Sequence, residues 1–326
     1  MADLNLVEAV REGLRQELAR DRKVVVLGED VAKDGGVFRS TDGLFEQFGP
    51  ERVIDTPLAE SGIVGMAIGM AVAGYRPVAE IQFSGFVYPA YDQLVSHASR
   101  LRNRSRGLYA CPLVVRMPYG GGIRALEHHS ESMEAIFAHV PGLKVVIPSN
   151  PYDAKGLLAA AIRDPDPVIF CEPARIYRAV RMEVPDEAYE VPLGEAKVVR
   201  EGVDISVIAW GALVRTARQA AEQLAQEGVC DVEVVDVRTL SPLDTGTVLA
   251  SVQKTGRALV VHEASRTGGF GAEIAAQIQE QALLQLQAPV RRVAGSDVIP
   301  PLAKLEDYFQ PSMNLLVNEI RATMEF

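Results

Sequence analysis

Hydrophobic positions in this chain fall into short unbroken runs, separated by longer stretches with helical spacing. Residues 23–28, 53–54, 76–83, 113–117, 144–147 and 168–170 read as strands that are apolar throughout. Between them, Leu6, Val10, Leu14 and Leu18 lie four apart, predicting an opening amphipathic helix with Asp3 as its cap. Further helices are predicted from Pro89 to Asn103, over 131–139 and over 152–162. Another starts at Glu60 or Ser61, either of which can cap it, and repeats Gly62, Gly65 and Gly69 at helical spacing. Apolar strands alternating with helices mark a parallel sheet covered on both faces. Residues 1–176 are therefore predicted to form one α/β domain. Residues 177–202 lose the period and carry Pro185, Pro192 and Gly194, which predicts an extended linker. Strands at 205–209, 232–235, 259–261 and 290–293 then restart the alternation, so 203–326 reads as a smaller α/β domain. The fold class is α/β, with two open, mostly parallel sheets.

Composition narrows the function. With 33 basic and 43 acidic residues the formal charge is −10, and no basic tract stands out. Nucleic acid and anionic membranes are excluded as partners on that balance. The longest apolar stretch, residues 63–73, is too short to cross a bilayer, and the N-terminus shows no basic, apolar leader. Cys111, Cys171 and Cys230 are far apart in sequence and fit a reducing, cytoplasmic setting as buried small hydrophobes.

Candidate chemistry is sparse, with five histidines in all. His97 and His139 lie on or at the end of helices and read as packing or surface residues, and His262 ends a strand with nothing nearby to complete a site. His128 and His129 follow the Gly120-Gly121-Gly122 turn and precede a helix start. The positive end of that helix disfavours an imidazolium, and a neutral ring exchanges protons near pH 7. A plain capping role for one of the rings is the alternative. Zinc is excluded, since adjacent histidines lack a third ligand at suitable spacing. In an open α/β sheet, ligands bind beyond the carboxyl ends of the strands. Glu60, Phe86 and His129 each follow a strand, so an acid, an aromatic face and a histidine converge on one crevice. That set suits a flat, nitrogen-rich ligand and proton transfer. No Gly-x-Gly-x-x-Gly follows the strand at 23–28, which weighs against a nicotinamide-dependent α/β oxidoreductase, the first rival reading. A non-catalytic docking subunit is the second.

Several stretches together resemble the beta chains of thiamine-diphosphate-dependent 2-oxo acid dehydrogenases, the decarboxylating first components of the pyruvate and branched-chain complexes. They are Val26-Leu27-Gly28-Glu29-Asp30-Val31, Asp55-Thr56-Pro57-Leu58-Ala59-Glu60, Glu80-Ile81-Gln82-Phe83 and His129-Ser130-Glu131-Ser132. Residues 141–146, 151–156 and 236–240 extend the likeness in order along essentially the whole chain. The resemblance implies a transketolase-like pyrimidine-binding domain followed by a transketolase C-terminal-like domain. It implies that Glu60 hydrogen-bonds the aminopyrimidine ring of thiamine diphosphate. It also implies that Leu58, Gln82 and Phe86 line that cofactor, with Phe86 stacking where some relatives carry tyrosine. His129 matches the histidine that handles protons in acylation of the lipoyl group, with His128 ranked second. Leu113, Ala161, Ile162, Asp164 and Asp166 match positions that hold a potassium ion in some relatives, Asp166 replacing an asparagine. The Gly-Asp-Gly motif that holds magnesium is absent from the chain, so the resemblance assigns magnesium to a separate alpha chain. Two alpha and two beta chains would form the active tetramer, and the C-terminal domain would dock on the lipoyl-bearing acyltransferase core. Residues 294–306 look closer to branched-chain members and residues 84–88 to pyruvate members, so both substrates stay open.

Overall fold

The computed structural model describes residues 1–326. The first half runs β1 (Ala2–Leu4), α1 (Leu6–Arg20), β2 (Val24–Gly28), α2 (Leu44–Phe48), β3 (Val53–Asp55), α3 (Glu60–Val72) and β4 (Arg76–Glu80). It continues through α4 (Leu101–Arg104), β5 (Val114–Tyr119), α5 (Glu134–Ala138), β6 (Lys144–Val146), α6 (Pro151–Arg163) and β7 (Val168–Pro173). The second half runs β8 (Met182–Val184), β9 (Lys197–Arg200), β10 (Ile205–Ala209), α7 (Ala212–Gln226), β11 (Val232–Asp236) and β12 (Thr239–Ser241). Then follow α8 (Thr245–Thr255), β13 (Ala258–Ser265), α9 (Gly271–Ala282), β14 (Arg291–Gly295), α10 (Glu306–Phe309) and α11 (Met313–Met324).

Two sheets organise these elements. The larger has the order β12-β6-β7-β5-β4-β2-β3 and the smaller β14-β13-β10-β11-β9. Every pairing in them is parallel except β12 with β6 and β9 with β11. The α/β class with two open, mostly parallel sheets is thus as expected. Burial explains the unbroken apolar strands: β2, β7, β10 and β11 are buried at every residue, because helices cover both faces.

Several local expectations change. Asp3 does not cap the first helix; Asn5 does, in a capping box closed by Glu8, because Asp3 belongs to β1. Neither Glu60 nor Ser61 caps α3, whose N-cap is Ala59, and the Ser61 hydroxyl donates instead to the Pro89 carbonyl. The single helix expected from Pro89 to Asn103 is broken into tight and wide turns before α4. The Ser99 hydroxyl and the Arg100 guanidinium both take the Val95 carbonyl, at 2.9 and 3.0 Å, drawing it away from a regular ladder. Within 177–202, β8 pairs with β1 and β9 joins the smaller sheet. β12, from the second half of the chain, lies along the edge of the first sheet.

Candidate functional site

The parallel order β5-β4-β2-β3 sets four loops side by side at the carboxyl edge of the larger sheet. The loop after β2 brings Glu29 and Asp30, that after β3 Leu58 and Glu60, that after β4 Gln82 and Phe86, and that after β5 His128 and His129. The Asp55 carboxylate, accepting the Ala32 amide at 2.7 Å, ties the first two together. The Gln82 amide donates to Asp30 at 3.0 Å and ties the third to the first.

Glu60 is the first residue of α3, half-buried, at the positive end of the helix dipole. Glu29 lies close by and is buried. Burial raises the Glu29 carboxyl above the usual carboxylate range, and the neighbouring charges of Glu60 and Asp30 raise it further. Two acids thus share one rim. Leu58 is 79% exposed, an apolar side chain standing clear of its own fold.

On the facing side, the Phe86 and His129 ring centroids are 5.1 Å apart, edge to face, and His129 tilts over Phe83 at 4.2 Å. Nδ1 of His129 is buried and has no hydrogen-bond partner. The loops touch through Gly85: a Cβ there would stand 2.3 Å from the His128 carbonyl oxygen, so no side chain fits. The Ser84 hydroxyl donates to the Glu131 carbonyl at 2.8 Å, and the Tyr88 hydroxyl to the Glu131 carboxylate at 2.5 Å. Burial, and after it that carboxylate, holds the Tyr88 phenol well above its ordinary range. His128 is about half exposed, with Nδ1 3.4 Å from Glu131. A cavity of ≈ 530 Å³ opens next to this loop, between Tyr88, Glu131 and Met133 of the first half and Thr267, Asp297 and Ile299 of the second.

The positions matched to a potassium ion lie apart from this rim, around the end of α6. The Ile162 and Asp164 carbonyls accept from Arg76 at 2.8 and 3.3 Å, and the Asp164 carboxylate pairs with Lys144. Asp166 pairs with Arg102 at 2.6 Å. The Leu113 carbonyl accepts the Val168 amide at 2.8 Å, and the Ala161 carbonyl the Asp164 amide at 3.3 Å. Each of these acceptors takes at least one hydrogen bond or ion pair, and three side-chain cations lie among them. His97 and His139 are exposed. His262 differs from its expected place at a strand end: it lies inside β13, fully buried and stacked on Trp210 at 5.2 Å.

Sequence reasoning missed what lies beneath the rim. Arg116, in a strand read as wholly apolar, is 1% exposed and pairs with Glu80 and Glu172. Its guanidinium meets Glu172 at 2.6 and 2.7 Å, while the Tyr177 hydroxyl donates to Glu172 at 2.6 Å. A signal was present: the neighbouring strands β4, β5 and β7 each carry a charged residue in or just beyond an apolar run.

The model of the transketolase pyrimidine-binding domain matches residues 2–180, and that of the transketolase C-terminal domain matches residues 194–315. A protein of Acholeplasma laidlawii named "Pyruvate dehydrogenase E1 component subunit beta" is 52% identical over 321 residues, 98% of each chain. The chain belongs to the beta-chain family of the 2-oxo acid dehydrogenases. A Staphylococcus epidermidis protein with the same name is 50% identical over 326 residues, the whole of both chains. A solved structure, "Split gene transketolase, inactive beta4 tetramer", superposes with a TM-score of 0.81 over 99% of each chain; at 23% identity it speaks for the fold alone. Family membership sets aside the nicotinamide-dependent reading. It also implies thiamine diphosphate as the cofactor.

Proposed function

We propose that this chain is the beta half of a pyruvate-decarboxylating 2-oxo acid dehydrogenase, active with an alpha chain that holds the diphosphate and magnesium. One observation carries the reading: Glu60, half-buried at a helix start beside the buried Glu29, on a rim where Leu58 projects 79% exposed. Such a rim is half of a site, complete when a second chain closes over it. The orphaned Nδ1 of His129 fits the same picture, since a buried polar atom without a partner awaits one.

Thiamine diphosphate, when bound, supplies the carbon nucleophile and the electron sink for loss of the substrate carboxylate. Glu60 would hold its aminopyrimidine ring by a hydrogen bond in which the carboxyl could share a proton with a ring nitrogen. Leu58 and Phe86 would give the ring apolar walls and exclude water, and Gln82, held by Asp30, would offer it a polar side chain. His129, packed against Phe83 and Phe86, passes protons during transfer of the acyl group to a lipoyl group of the acyltransferase core. Pyruvate is preferred to branched-chain substrates on two supports, the names of the similar proteins and the Ser84–Tyr88 stretch. The working unit is a two-alpha, two-beta tetramer. The division is proposed at 1–176, 177–202 and 203–326, near family matches that end at 180 and resume at 194, with β9 of the linker joining the smaller sheet. A potassium ion held by Leu113, Ala161, Ile162, Asp164 and Asp166 would share its surroundings with Arg76, Lys144 and Arg102, and no step is routed through it. A cytoplasmic setting is supported by three free, buried cysteines, and no helix is long and apolar enough to cross a membrane.

Glu60→Gln in the tetramer tests the reading. The amide keeps the shape but cannot share a proton, so decarboxylation of pyruvate should fall about a hundredfold or more. Unchanged decarboxylation would instead favour a docking role for this chain.

A further inference from the structure

The loop that carries His128 and His129 is a closed excursion from the end of β5, the Gly120 amide donating to the Glu131 carbonyl at 2.8 Å. Within it, Gly120, Gly122 and Arg124 all have left-handed backbones, with φ of 76°, 98° and 55°. Alternate left-handed residues build no regular ladder, and residues 121–125 make no hydrogen bond to other backbone. An arginine in that region also carries a conformational cost of about 1 kcal/mol. Left to itself, this backbone has no reason to hold one shape.

Its restraint comes from the other half of the molecule. Glu306, the first residue of α10, is 3% exposed, and its two carboxylate oxygens accept the Gly122 and Arg124 amides, the latter at 2.8 Å. Two amides on one carboxylate make charge-assisted bonds, stronger than neutral ones. Nearby contacts tighten the fit: Arg124 reaches Asp307 at 3.1 Å, and Arg175 donates to Gln310 at 2.8 Å. A Cβ on Gly121 would stand 2.6 Å from the Glu306 carboxylate and 2.1 Å from the Gln310 amide, so the loop backbone lies directly against this anchor. On its opposite side the loop meets Ser84, Gly85, Phe83 and Phe86 of the first half.

We propose that Glu306 is a positioning residue: from the C-terminal half it pins the backbone at Gly122 and Arg124, and so sets where His129 stands against Phe83 and Phe86. The structural part rests on these contacts alone, and its catalytic consequence rests on the role given to His129 above. Displacing a working group by about 1 Å can cost about a hundredfold in rate. A loosened loop should therefore slow the step that His129 serves and spare the step that Glu60 serves.

The test compares Glu306→Ala and Glu306→Gln in the tetramer assembled with its alpha chain, thiamine diphosphate and magnesium. Hydrogen exchange over residues 120–130 reads the loop without reference to activity. Pyruvate oxidation by the dye dichlorophenolindophenol reads decarboxylation alone, and acetylation of an isolated lipoyl domain reads the transfer. In Glu306→Ala, exchange at 121–129 should rise about tenfold, with α3 and β2 unchanged. Lipoyl acetylation should fall about tenfold or more while the dye-linked rate stays within about twofold. Glu306→Gln, which keeps one acceptor oxygen, should lie between, and it carries the comparison by itself if the alanine variant does not assemble. Unchanged exchange at 121–129 in an assembled variant overturns the positioning role. A loosened loop with both rates unaltered, or lowered together, leaves Glu306 as the anchor and overturns the assignment of His129 to acyl transfer.

Discussion

Arg116 lies in the middle of the larger sheet with two carboxylates around it and almost no contact with water. Arg116→Met preserves most of the volume but leaves Glu80 and Glu172 buried without a counter-charge. Breaking a buried pair in this way costs about 3–5 kcal/mol, which urea unfolding of the variant should read. Arg116→Lys should recover little, because an ammonium cannot match the paired bonds to Glu172. His262 offers a test in pH. Burial lowers its pKa from 6.5 to about 4, so the folded chain keeps the ring neutral. The unfolded chain binds the extra proton between those values, so this group's contribution is whole above pH 6.5 and is lost as pH falls toward 4. His262→Phe keeps the stack on Trp210 and removes the loss. Its stability relative to the parent should therefore rise by up to about 3 kcal/mol as pH falls through that window, measured by thermal unfolding at both ends. Glu263 and Asp236, both raised to about 7 chiefly by burial, act in the opposite sense but are common to both proteins and cancel. His262 was not legible from hydrophobic pattern, and Arg116 was signalled only by the charged residues recurring in β4, β5 and β7. Each is a polar residue inside an apolar run, and only the neighbouring strands and helices reveal what it meets.

At the level of elements, α3 explains why half of the site was readable. Its small and apolar residues were visible along the chain, and Glu60 at its start followed from the strand before it. Ile63, Val64, Ala67 and Ala71 face inward, whereas Met66 and Val72 are 43% and 40% exposed. Gly69 has nothing within 4 Å of where a side chain would begin. A helix that is apolar on all sides belongs inside an assembly, and under the proposed function its outer side would take the alpha chain. Met66→Lys should leave the melting of the isolated chain within about 0.5 kcal/mol of the parent, because that side is open. It should weaken association with the alpha chain, read as loss of the tetramer in sedimentation velocity. The Pro89–Asn103 stretch was the opposite case. Its helical composition was plain, but side chains competing for the Val95 carbonyl could be seen only in three dimensions. The segment bearing His129 was legible as a loop, but its anchor was not. Glu306 lies far along the chain from it, and no local pattern links the two.

Taken whole, the molecule is stitched across its halves by several contacts, β1 with β8 and Arg238 with Asp153 among them, and two more bear on the site and the sheet. One is the grip of Glu306 on the histidine loop, and the other is β12, a strand from the second half that completes the edge of the first sheet beside β6. The alternation of strands and helices made two α/β units legible. It gave no hint of this exchange, because β12 has three residues and its pairing partner is distant in sequence. The consequence concerns how the chain tolerates being cut. A fragment ending near residue 180 would include every helix of the first unit, yet it would bare the flank of β6, an open row of amides and carbonyls. Such a fragment is an adhesive piece that recruits strands from its own kind, so the two units are made, and lost, as one.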